Sequence, residues 1–254
     1  MKIKKFFICY LPLLLLFFTS SCSYLPEEVE LLNGVKLYET PDYISLLPES
    51  ASIKGLGFMF YAGGLVDAHA YIPTFQELAR EGYAVVIIKS VSNLAILNSG
   101  KSQTLLDKFE GVEIWVLGGH SLGAVVACMD VASNPENYKG LVLLAGYPTA
   151  NDDLSNWDGT VLSIWGELDG LLDPIEIEDN KKLLPTAIVV DSLSNMPISS
   201  TAGQSLYHEI KGGNHAQFGT YGEQKGDNTA LISTTEQHQI TVDFIRSFFN
   251  ANNW

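Results

Sequence analysis

Glu113-Ile114-Trp115-Val116-Leu117-Gly118-Gly119-His120-Ser121-Leu122-Gly123-Ala124 runs from an apolar, β-branched segment through paired glycines to a serine, and then into a second apolar segment. The first part reads as a strand, and Ser121 to Ala132 reads as a helix with Val125, Cys128, Val131 and Ala132 on its apolar positions. Gly119-x-Ser121-x-Gly123 therefore falls on a strand-to-helix turn. The spacing has a mechanical reason. A serine at such a turn has a strained backbone, and the residues two before and two after it must lack bulk because chain segments approach closely there. The turn pushes the hydroxyl out at the carboxyl edge of the sheet, beside a helix N-terminus whose peptide dipoles favour negative charge. Ser121 is the candidate nucleophile; the competing reading is a glycine-rich turn with an incidental serine.

Further strand candidates lie on both sides: Leu56–Tyr61, Ala84–Ile88, Leu141–Ala145, Val161–Trp165, Ala187–Val190 and Leu206–Ile210. The middle ones are continuously apolar rather than alternating, as in strands buried on both faces of a parallel sheet. Helical patterns fall between them at Ile72–Glu81, with Pro73 in the first turn and Gly82 after the end, and at about 235–250 near the C-terminus. This alternation predicts an α/β, doubly wound, mostly parallel sheet in one domain over residues 34–254. About 15 residues separate the Leu141–Ala145 and Val161–Trp165 strands, which leaves no room for a large cap domain. Residues 192–205 read as an inserted loop, either a pocket rim or a plain surface excursion.

A serine hydroxyl needs a base to take its proton, and after an elbow of this kind the partners follow in the order acid, then histidine. Trp165-Gly166-Glu167-Leu168-Asp169-Gly170-Leu171-Leu172-Asp173 follows a strand and brings carboxylates to the same edge. Asp169 is the preferred acid, with Glu167 and Asp173 as alternatives. Gly212-Gly213-Asn214-His215-Ala216-Gln217-Phe218-Gly219 follows the last strand candidate, and His215 is the one histidine of five with both the order and the loop context of a base. His69 sits in an early loop, His120 beside the nucleophile pointing inward, His208 on a strand and His238 on the last helix. An oxyanion hole needs two backbone donors. One is the N–H of Leu122; the other is assigned to Gly64 or Leu65 in Tyr61-Ala62-Gly63-Gly64-Leu65-Val66-Asp67.

The Gly119–Gly123 pentapeptide, the Trp165–Asp169 segment and the Gly213–Gly219 segment together resemble the α/β-hydrolase superfamily. More narrowly, Tyr61–Asp67 with the Asn-His-Ala-Gln-Phe-Gly string resembles the small bacterial α/β-hydrolase family 5 group, which is related to dienelactone hydrolases. The resemblance spans about residues 34–250. It implies an α/β-hydrolase fold and a Ser/Asp/His hydrolase without metal or cofactor, and it leaves the substrate open. Two departures stand out: Ala62 where the group often has Pro, and the insertion at 192–205.

The expected reaction is hydrolysis of small carboxylic esters through an acyl-enzyme, with thioesters and lactones as related substrates. The alternative is a catalytically weak surface lipoprotein that binds a ligand or partner through the same cleft. No His/Asp/Glu cluster has metal-ligand spacing. With 15 basic and 29 acidic residues the formal charge is −14, which speaks against a nucleic-acid partner, because phosphate binding needs a basic surface.

The N-terminus begins Met1-Lys2-Ile3-Lys4-Lys5 and runs apolar from Phe6 to Phe18 before Thr19-Ser20-Ser21-Cys22. That is the layout of a secretory signal over residues 1–21. Thirteen apolar residues reach roughly 20 Å as a helix, short of the ~30 Å hydrocarbon core. Ser20-Ser21-Cys22 resembles a lipoprotein lipobox, with Cys22 the lipidated first residue, although Thr19 stands where Leu is preferred. A membrane-anchored envelope lipoprotein is expected, with simple secretion as the second choice and the bilayer as partner. Loss of residues 1–21 removes Lys2, Lys4 and Lys5 and no acid, so −14 becomes −17. Residues 22–33, with Pro26-Glu27-Glu28, read as a tether. Cys128 would then be the one remaining thiol, a small buried apolar side chain.

Overall fold

The computed structural model describes residues 23–49, 52–197 and 201–254. Nine strands form one mixed sheet. They are β1 (Val35–Glu39), β2 (Tyr43–Pro48), β3 (Leu56–Tyr61), β4 (Ala84–Ile88), β5 (Ile114–His120), β6 (Gly140–Leu144), β7 (Thr160–Gly166), β8 (Thr186–Val189) and β9 (Gln204–Ile210). Their order is β1-β2-β4-β3-β5-β6-β7-β9-β8. The β1–β2 and β2–β4 pairs are antiparallel and every other pair is parallel. The α-helices are α1 (Ile72–Arg80), α2 (Leu122–Ser133), α3 (Pro174–Asn180) and α4 (Thr234–Ala251).

Every residue of β3, β4 and β6 is buried, which is why these strands lack alternation. Successive side chains of a strand still point to opposite faces. Phe58 and Phe60 on β3 meet Phe75 of α1, and Phe58 also meets Phe249 of α4. Tyr61, an odd-numbered neighbour, points the other way and donates to Asp130 of α2 at 2.7 Å. Helices therefore cover both faces. Each buried Phe of the first face contributes roughly 1.5–3 kcal/mol of apolar transfer.

The doubly wound α/β reading holds, and the β6–β7 connection, residues 145–159, contains no helix or strand. Three differences from the expected layout have physical causes. The antiparallel β1–β2 pair precedes the first expected strand; β1 is largely exposed, and its VKLYE sequence gives little apolar signal. α3 is a short acidic helix started by Asp173, whose side chain accepts from the Ile175 N–H, with Pro174 in the first turn. Residues 23–33, expected as a tether, lie against the domain: Tyr24, Val29 and Leu32 pack on the core. The Leu32 N–H also donates to Gln76 Oε1. The inserted loop ends at the amino edge of the sheet, where Thr201 bonds Asn252, and β9 begins at Gln204. Residues 1–21 and Cys22 lie outside the described residues. Among those described, no helix is long and apolar enough to cross a membrane.

Candidate active site

The turn between β5 and α2 carries Ser121 at φ +54° and ψ −121°, a conformation that costs a non-glycine residue about 1–3 kcal/mol. Its neighbours hold it there. The Ser121 N–H donates to the Leu144 carbonyl at 2.9 Å. A Cβ on Gly119 would sit 2.2 Å from the Gly123 carbonyl, and one on Gly123 would sit 2.3 Å from the Tyr61 carbonyl oxygen. The two glycines of Gly119-x-Ser121-x-Gly123 are thus forced by backbone packing against backbone. Gly146 adds a further close approach: a Cβ there would lie 2.6 Å from the Ala124 Cβ and 3.0 Å from the Ser121 carbonyl oxygen.

His215 and Asp169 arrive on the loops after β9 and β7 and form a pair sealed from water. The His215 Nδ1 to Asp169 Oδ2 distance is 2.8 Å, with side chains 3% and 1% exposed. The second oxygen, Asp169 Oδ1, accepts from the Leu171 and Leu172 amides at 2.9 and 2.8 Å. With Nδ1 donating to the carboxylate, Nε2 carries the lone pair, and it has no hydrogen-bond partner among the described residues. The His215 ring stands 4.5 Å, centroid to centroid, from that of His120, the residue before Ser121. The alternative acids point elsewhere. Glu167 accepts from the Gly212 N–H and pairs with Lys211, and that backbone bond holds its carboxyl below the usual range. Asp173 caps α3.

The loop after β3 supplies amides near the helix start. The Gly63 N–H donates to Tyr71 Oη at 2.9 Å and the Leu65 N–H to the Asn93 carbonyl at 2.7 Å. The Gly64 N–H between them has no acceptor among the described residues. A Cβ on Gly64 would lie 3.5 Å from the Leu122 Cβ, so the open amide adjoins the first turn of α2, whose leading N–H groups have no intrahelical acceptor. Of the two residues expected to supply the second donor, Leu65 has its N–H already committed.

Several positioning groups had no signature in the sequence. Tyr71 Oη accepts from the Gly63 N–H and lies 2.8 Å from His120 Nδ1, joining the loop to the elbow. Burial holds His120 well below its ordinary pKa and pushes Tyr71 up. Asp227 bridges the acid and base loops: Oδ1 accepts from the Gly170 N–H at 2.9 Å, and Oδ2 from the Ala216 N–H at 2.8 Å. Gln237 of α4 brackets Asn214, accepting from its N–H and donating to its carbonyl at 3.0 and 2.8 Å. Spacing could not reveal these residues, because each acts across a long stretch of chain.

The other histidines are engaged elsewhere. His69 pairs with Asp67 and Glu39 at the surface, and His208 stacks on Phe244 with Nδ1 at 2.8 Å from the Val190 carbonyl. His238 is buried on α4. Cys128 is buried and its thiol is pushed up in pKa by burial. A cavity of about 610 Å³ lies at the opposite, amino edge, lined by residues such as Tyr138, Trp157 and Trp254 but by none of Ser121, Asp169 or His215. Among the described residues no group of three His, Cys, Asp or Glu side chains could hold a metal ion.

The profile of an alpha/beta hydrolase family matches residues 57–239, which contain the elbow and both loops. No curated protein matches the chain. A predicted CIB-like hydrolase from Thermoplasma acidophilum is similar in structure, with TM-score 0.58 and 16% identity over 84% of this chain and 99% of that one. MGS-MChE2, an alpha/beta hydrolase enzyme from the metagenome of lagoon sediments at Mar Chica, Morocco, has TM-score 0.58 and 16% identity over 86% and 100%. Est1E from Butyrivibrio proteoclasticus, solved with ferulic acid bound, has TM-score 0.57 and 11% identity over 85% and 97%. At such identities the likeness concerns the fold alone, while the profile covers most of the chain. On that ground the chain belongs to the alpha/beta hydrolase family.

Proposed function

We propose that the chain is a serine hydrolase of small carboxylic esters that works through an acyl-enzyme, carried on an exported lipoprotein anchored at Cys22. The observation that supports this reading most is the buried Asp169–His215 pair: the His215 Nε2 has no hydrogen-bond partner among the described residues, and its ring stands 4.5 Å from that of His120, the residue before the strained Ser121. Est1E, solved with ferulic acid bound, adds a neighbour of the same fold that holds a small carboxylic acid. Ser121 Oγ attacks the ester carbonyl while His215 Nε2 takes its proton. The oxyanion is held by the N–H groups of Leu122 and Gly64. The tetrahedral species collapses as His215 returns the proton to the departing alcohol. His215 then takes a proton from water, the hydroxide attacks the acyl carbonyl, and Ser121 leaves with that proton. Asp169 orients the imidazole and stabilises its charged form.

A net charge of −17 after leader removal favours neutral or weakly polar esters over anionic ones. Ser121→Ala should lower hydrolysis of a short p-nitrophenyl ester by about 10⁴-fold or more. A fluorophosphonate probe should label the wild-type chain and leave the variant unlabelled. Unchanged ester hydrolysis in Ser121→Ala, or no labelling of the wild type, overturns the reading.

A further inference from the structure

The described chain starts against the loops after β3 and β9, which border the candidate active site. The Tyr24 N–H donates to the Leu65 carbonyl at 2.8 Å, and the Asp67 N–H donates to the Tyr24 carbonyl at 3.0 Å. The Tyr24 ring stands 5.5 Å from that of Tyr221 on the base side, and the Glu27 N–H donates to the Thr220 carbonyl at 2.8 Å. The N-terminal segment is therefore fixed across the two loops that flank the elbow. Cys22 precedes Tyr24 by two residues, which span at most about 7 Å when extended. An acyl chain on that cysteine would hold the mouth of the cleft within roughly a headgroup's depth of the lipid.

The same edge carries large apolar side chains without cover. Leu25 is 66% exposed beside Tyr24, and Val91 and Leu97, in the turns after β4, are 61% and 60% exposed. Ile175, at the start of α3 after β7, is 66% exposed. Leu231 is 82% exposed, and its N–H donates to the carbonyl of Gly212, directly after β9. The loops that carry Val91, Leu97, Ile175 and Leu231 follow the carboxyl ends of strands that run parallel to one another, and Leu25 adjoins Tyr24, which is bonded to the loop after β3, so the five side chains belong to one edge. Apolar side chains left uncovered along one edge offer a surface that can insert into an apolar phase.

We propose that this edge is a bilayer-docking surface, which opens the cleft toward the membrane that holds the N-terminus. The inference rests on the Cys22 anchor and goes beyond the esterase reading. The anchor sets the distance and the apolar rim sets the orientation. With −17 on the chain the contact is apolar insertion rather than attraction to anionic lipid, so zwitterionic lipid suffices.

The full chain, purified from membranes, is reconstituted in phosphatidylcholine vesicles containing a nitroxide-labelled lipid. Leu97→Cys, Ile175→Cys and Glu136→Cys variants each carry an environment-sensitive fluorophore; Cys128 is buried, and Glu136 lies at the opposite edge. Labels at 97 and 175 are expected to shift to the blue and to be quenched, while the label at 136 does neither. Labels at 97 and 175 as wet as that at 136, equal quenching at all three, or recovery of the chain from the soluble fraction overturns the proposal. A Leu97→Glu/Ile175→Glu/Leu231→Glu variant gives a second readout. Hydrolysis of a vesicle-embedded ester should fall at least about tenfold, while a soluble short ester stays within about twofold. An equal fall on both esters counts against docking. A wild type that cleaves neither ester removes the esterase reading alone, since the fluorophores need no turnover.

Discussion

Asp169 and Glu167 stand two residues apart on one loop, yet their surroundings differ entirely. Asp169 is shut away from water, gives one oxygen to His215 Nδ1 and fills the other with two backbone amides. Glu167 is partly exposed and holds Gly212 and Lys211. A carboxylate that orients an imidazole acts through the first kind of contact. Asp169→Asn should therefore lower kcat for a soluble ester by about 10³- to 10⁴-fold, because the amide tends to impose the wrong imidazole tautomer. Glu167→Gln should stay within about threefold, as expected where an exposed ion pair is worth little. Steady-state kinetics on the two variants checks both. At this scale the sequence makes Ser121 and His215 legible through loop context and chain order. It leaves the acid open, because three carboxylates share one loop and only side-chain direction separates them. Tyr71 and Gln237 gave no signal, since a buried tyrosine or glutamine looks ordinary until its partner across the fold is known.

Between elements, the acid loop and the base loop belong to neighbouring strands, β7 and β9, and share one clamp. Asp227 accepts an N–H from the residue after Asp169 and another from the residue after His215. Asp227→Ala should free both loops, lowering kcat by about 10- to 100-fold with KM little changed, because a small misplacement of reacting groups is costly. Asp227→Asn keeps one acceptor oxygen and should recover part of the loss; a purely structural role would instead show as a drop in folded fraction by circular dichroism with kcat per folded molecule unchanged. The central strands were readable because burial on both faces makes them apolar throughout. β1 has no apolar signature because it is an exposed edge strand, and α3 has little because it buries only Ile177. The Asp173-Pro174 pair was an available signal for α3, since Asp caps a helix and Pro fits its first turn.

The molecule as a whole carries buried histidines whose burial holds them neutral. His120 lies well below its ordinary value, His208 is lowered, and His238 is pushed from 6.5 to about 4. In the unfolded chain these groups take up protons as pH falls below about 6.5, whereas in the folded chain they do not. The unfolded state therefore binds more protons in that window, and stability falls as pH falls. For a group moved as far as His238 the loss at pH 5 is about 2 kcal/mol relative to neutral pH. Urea midpoints should drop between pH 7 and pH 5, and His238→Gln should flatten that dependence; a midpoint that holds or rises over this range contradicts the assignment.

Ser121 keeps a side chain where the backbone geometry favours none. At φ +54° and ψ −121° its backbone occupies a region where glycine sits without penalty and other residues do not. A lineage selected for thermal robustness alone would drift toward glycine at that position. A hydroxymethyl group on so inhospitable a backbone does nothing for folding, so its worth to the molecule lies in what the hydroxyl does.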